Sequence, residues 1–113
     1  MNERLEYLSL MTDDELLAAF GSELLAEDLG GRFEPIEAAK TWLDENLPSI
    51  RTDICCSETL LRFRSGSSFE GLEEAAAIMD VLASVRKYPA VATMSVLLAR
   101  RSVRLVCDGH ECP

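Results

Sequence analysis

No stretch of this chain is apolar for the roughly 18 residues that a bilayer span requires. Its opening, MNERLEYLSL, carries Glu3 and Glu6 where an export signal would place positive charge followed by an apolar run. Neither a membrane protein nor an exported one is expected, and the predicted location is cytoplasmic. Histidine occurs once, at His110, and no GxSxG elbow is present, so a serine or cysteine triad would depend on ordering the end of the chain. The glycine and lysine spacing of a phosphate-binding P-loop is absent. The cysteines do not form the paired CxxC arrangement common in zinc sites. No internal repeat or low-complexity tract is visible. These absences argue against an enzyme, and no cofactor is expected.

One further absence is local. Between Val81 and Cys107 there is no acid, while Arg86, Lys87, Arg100, Arg101 and Arg104 fall in that span. The whole chain nevertheless has a net charge of −9. Residues 1–50 hold twelve acids and three bases, and residues 51–113 hold eight of each, so the excess belongs to the first half. A phosphate backbone would be repelled by the whole molecule, which disfavours nucleic acid despite the stripe Leu97, Arg100, Arg101, Arg104. A protein partner with a basic surface fits the charge better.

At 113 residues, with 48% apolar and 27% charged residues, the chain is sized and composed for one folded domain, not for disorder. Residues 108–113 are expected to form a flexible tail. The clearest periodicity runs from Ser67 to Tyr88, where Leu72, Ala75, Ala76, Met79, Leu82 and Ala83 recur at three- and four-residue steps, widened by Ile78, Val81 and Val85. Ser67 with Glu70 offers a capping box, and Arg86 and Lys87 suit the helix end before Pro89.

Earlier in the chain, Leu5 and Leu8 suggest a short docking helix. Thr12 to Glu15 reads as a second capping box, opening a helix with Leu16, Leu17, Phe20, Leu24 and Leu25 buried and a stop at Gly30-Gly31. Pro35 opens a third helix with Ile36, Ala39, Leu43 and Leu47 on one stripe, ended by Pro48. Trp42, off that stripe, reads as core edge or as an exposed contact.

Residues 49–64 and 90–106 fit both periods. Ile50, Thr52 and Ile54 share a strand face, whereas Cys56, Leu60 and Phe63 follow helical steps. A helix from Pro89 would place Val91, Met94, Leu98 and Leu105 inward. Seventeen leucines and twelve alanines outweigh fifteen valine, isoleucine and threonine residues. The predicted fold is therefore all-α, a bundle of about six short helices around a central helix 67–88. The alternative is α+β, with a small antiparallel sheet from 50–56, 92–98 and 102–107 covered by that helix.

The expected function is a non-enzymatic protein-protein interaction module (an adaptor, regulator or inhibitor) docking a basic partner through its acidic first half. Candidate contacts are Glu23, Glu27, Glu37, Trp42, Asp44 and Glu45. The alternative is a metal-binding or thiol-redox protein using Cys55, Cys56, Cys107, His110 and Cys112. Without an export signal, reduced structural thiols are the default. The loop Arg64 to Ser68 offers a helix-start anion cradle, which serine capping explains more simply.

Overall fold

The computed structural model describes residues 3–26, 34–64 and 71–111. These residues are all-α, with no strand: α1 (Glu3–Ser9), α2 (Asp13–Ala26), α3 (Pro35–Ile54), α4 (Glu58–Arg64), α5 (Gly71–Val85), α6 (Val91–Arg101) and α7 (Val103–Val106). The Gly30-Gly31 stop, the Ser67–Glu70 cap and most of the Arg64 to Ser68 loop lie outside the described residues.

Several expectations hold for local reasons. The Thr12 hydroxyl accepts the Glu15 N–H at 3.1 Å while the Glu15 carboxylate accepts the Thr12 N–H at 3.0 Å, closing the capping box that starts α2. Those two bonds, the one from the Thr12 backbone foremost, hold the Glu15 carboxyl below the usual range. Leu5 and Leu8 bury the inner face of α1, and Leu16, Leu17 and Phe20 that of α2.

Helix α2 packs chiefly on α3, and α5 chiefly on α6. The first of these contacts is unusually close at Gly21, where an added Cβ would stand 1.8 Å from the Pro35 carbonyl oxygen. Glycine costs roughly 1 kcal/mol in a helix interior, and here it lets the middle of α2 touch the backbone at the start of α3.

Helix α5 occupies the core through Ala75, Ala77, Ile78 and Leu82. It shares the centre with α6, in which every residue from Thr93 to Ala99 is buried. Ala83 is exposed because it lies about 140° round α5 from Ile78, whereas Val85, on the side of Ile78, is exposed at the last residue of the helix.

Pro48 does not end α3, which continues to Ile54. A proline inside a helix loses one hydrogen bond and crowds the preceding turn, but Ile50 and Ile54 beyond it are completely buried, and that packing holds the last turns in place. The small-sheet alternative fails, since its three segments lie in α3, α6, α7 and their ends. Leu105 does not face inward but is 69% exposed. Ser102, with φ of 69°, breaks the chain between α6 and α7, so the helical register that would have buried Leu105 does not pass through it.

The break between α6 and α7 is supported from elsewhere. Glu74, in the first turn of α5, is buried, and its carboxylate accepts the Val103 N–H at the start of α7. The Ser102 hydroxyl accepts from Leu105 N at 3.3 Å in the same turn.

Gly21→Ala is expected to destabilise the fold by about 1–3 kcal/mol or more, read as a lowered urea midpoint. An unchanged midpoint would mean that the α2–α3 contact is not the tight approach described.

Candidate functional site

The candidate acids do not form one cluster. Glu23, on α2, faces Arg4 of α1 at 3.7 Å with both side chains well exposed, a pair worth at most about 1 kcal/mol. Glu27 lies outside the described residues. Glu37, Asp44 and Glu45 are exposed on α3. They share one side of that helix with Glu34 and Thr41, at steps of 3, 7, 10 and 11 residues from Glu34. Among the described residues, none of these four acids has an ion pair. The stripe spans about 16 Å at 1.5 Å per residue.

Trp42 is half-buried and belongs to the rim of the core. Its ring meets Phe20 edge-on at 5.2 Å and Tyr88 edge-on at 6.3 Å, the geometry that the aromatic quadrupole favours.

The cysteines are placed differently from their expected reduced state. Cys55, at the C-terminal end of α3, is joined to Cys107 at the end of α7 by a disulfide, with Cα atoms 5.6 Å apart and both residues fully buried. Cys56 is also disulfide-bonded. The expectation of free thiols is overturned by packing: α7 rests on α4 and α6, which brings Cys107 within bonding range of Cys55. Sulfurs tied up in this way have no thiolate to offer a metal. Among the described residues no group of His, Cys, Asp and Glu is arranged to hold a metal ion. Cys112 lies outside them. His110 sits in the turn after α7, its backbone N–H donating to Cys107 O at 3.0 Å.

Two polar clusters were not legible in the sequence. In the first, Asp53 of α3 accepts from Tyr88, whose hydroxyl also bonds Ser49 at 2.9 Å, and pairs with Lys87 at 2.9 Å. Burial, then the bond to Asp53, raises the Tyr88 phenol above its ordinary value. The bond to Asp53 raises exposed Lys87 as well. Lys87 thus closes a clasp on α3 instead of serving the end of α5. The second cluster centres on Arg100 near the end of α6, which pairs with Asp13 at 2.8 Å and donates to Ser9 O at 2.9 Å and to Met11 O. One guanidinium therefore caps the end of α1 and fixes the start of α2. The partners are more than thirty residues apart in the first cluster and more than eighty in the second, so no local spacing marks them.

Comparison of the chain with protein-family models, curated protein sequences and solved structures finds no match. Among the described residues, no helix is long and apolar enough to cross a membrane.

Two measurements test these contacts. In a Tyr7→Phe chain, Tyr88 is the only phenol. Its absorbance titration is expected to have a midpoint above the ordinary value of 10. A folded-state pKa raised above the unfolded one contributes stability below that ordinary value and loses it as pH rises through the folded value. Stability should therefore fall as pH rises through the titration, and a midpoint at or below 10 would contradict the clasp. For the cysteines, the non-reduced chain is expected to show no thiol reactive to an alkylating reagent after denaturation. Cys55→Ala with Cys107→Ala should cost about 2–4 kcal/mol, since their 52-residue separation closes a long loop in the unfolded chain.

Proposed function

We propose that this protein is a non-enzymatic interaction module, an adaptor, regulator or inhibitor, that docks a basic protein surface on the acid stripe of α3. The observation that carries this reading is the stripe itself: Glu34, Glu37, Asp44 and Glu45 project from one side of a helix with no ion pair among the described residues. Asp13 and Asp53, by contrast, are consumed by contacts within the fold. Unsatisfied like charges along one helix side disfavour the isolated protein slightly and favour a cationic partner. Such a surface steers encounter over long range and weakens with salt. Trp42, three residues before Glu45, borders the stripe as a rigid edge held by Phe20 and Tyr88, and Glu23 lies apart on α2.

The compartment belongs to the same proposal. The cytoplasmic location expected from the sequence would keep thiols reduced. The buried Cys55–Cys107 disulfide, together with the bonded Cys56, favours an oxidising environment instead.

The test is capture of partners from an extract of the native cells, using the wild-type chain and a Glu37→Gln/Asp44→Asn/Glu45→Gln variant. Proteins rich in lysine and arginine are expected on the wild type at low salt, lost at high salt and lost on the variant. Retention of the same set by both chains, or retention indifferent to ionic strength, would remove the proposal.

A further inference from the structure

A surface of the opposite sign lies where α3 meets α6 and α7. One hollow of about 390 Å³ is lined by Leu47, Arg51, Arg100, Arg101, Leu105 and Val106. A smaller one of about 130 Å³ shares Arg100 and Arg101 and reaches Leu43 and Leu97. Together they follow α3 from Leu43 through Leu47 to Arg51, steps of four residues that cover about 12 Å, or a little over two turns. Its Leu43 end is turned away from the acid stripe, and its Arg51 end lies on the same side of α3 as Asp44, seven residues earlier.

No carboxylate lines the larger hollow. Its three guanidinium groups differ in what they already hold. Arg100 is occupied by Asp13 and by the carbonyls at the end of α1. Arg51 donates to the Asp108 carbonyl, while its buried Nε has no partner. Arg101 is exposed and has no partner among the described residues. Beside them stands Leu105, 69% exposed, with half-buried Leu47 next to it. An arginine fork without a carboxylate, set beside uncovered leucines, has the composition of a binding hot spot more than of a solvated face.

We infer that this groove docks a short acidic, aliphatic segment of a protein partner, its carboxylates received by Arg101 and Arg51 and its aliphatic side chains covering Leu47 and Leu105. Charge complementarity selects the occupant. Guanidinium groups bind carboxylates as forked, charge-assisted pairs, and the floor between them is apolar. None of the stripe's acids lines either hollow, although Asp44 and Glu45 lie only about 10 and 9 Å from Arg51 along α3; Asp13, which lines the smaller hollow, is taken up by Arg100. A polynucleotide is the weaker fit, because the groove offers leucines where stacking aromatics would be needed. The inference does not depend on the acid stripe, and together the two surfaces would let one chain bridge partners of opposite charge.

The test begins with selection of displayed random peptides on the full chain in non-reducing buffer. Affinities of a selected peptide are then measured by fluorescence anisotropy against wild type, Arg101→Glu, Arg101→Lys, Leu105→Ser and Glu45→Lys, each checked for an unchanged circular dichroism spectrum. The recovered peptides are expected to be enriched in Asp or Glu together with Leu or Ile. Arg101→Glu and Leu105→Ser should each weaken binding about tenfold or more, Arg101→Lys less, and Glu45→Lys hardly at all. Peptides without acids, equal binding to Arg101→Glu, or displacement of the peptide by a single-stranded oligonucleotide that itself binds more tightly would each overturn the inference.

Discussion

Helix α6 is buried around its whole circumference from Thr93 to Ala99, and the arrangement of the other helices follows from that constraint. A helix with no solvent face must be walled on every side, and α1, α2, α5 and α7 all pack against it. It holds two small polar residues, Thr93 and Ser95, and Ser95 returns its hydroxyl to the Val91 carbonyl at 2.7 Å, so that this donor is not left unsatisfied in the core. Both ends of α6 are set by backbone in the left-handed half of the map, at Ala90 with φ of 44° and at Ser102 with φ of 69°. Conformations of this kind persist in non-glycine residues where surrounding packing over-determines them. Here the fully enclosed helix between them supplies that packing.

The enclosed helix also explains the division of charge. Acids cannot line α6 without being buried unpaired, at a cost of several kcal/mol each. Its sequence has none, and its arginines come only at the end, where Arg100 reaches back to the end of α1 and the start of α2. The acids collect on the outer helices. Those that meet a base close the fold, as Asp53 does with Lys87 and Tyr88, and the acids that face solvent without an ion pair include the four along α3.

Covalent chemistry fixes the far end. Helix α7 has only four residues, too few to be stable alone, and three separate contacts hold it: the Glu74 carboxylate at its first N–H, the Ser102 cap, and the Cys55–Cys107 bond at its end. Leu105 and Val106, which wall one side of the arginine-lined hollow, are positioned by these contacts and not by any length of helix.

The Thr12–Glu15 cap, the inner faces of α1 and α2 and the acid-rich first half are properties of neighbouring residues, and the sequence by itself determined them. Period and capping act over three or four positions and need no fold to be read. The segment around Ile50 and Ile54 shows where this fails: a spacing of four residues returns to the same face in a strand as in a helix, so both isoleucines suit either form. Only burial against the rest of the bundle, strong enough to carry α3 through Pro48, decided between them. The pairing of Cys55 with Cys107, the Asp53–Tyr88–Lys87 clasp, the bonds of Arg100 and the outward turn of Leu105 were likewise decided by tertiary structure. Each joins or separates residues whose proximity is set by packing, which the order of residues along the chain does not express.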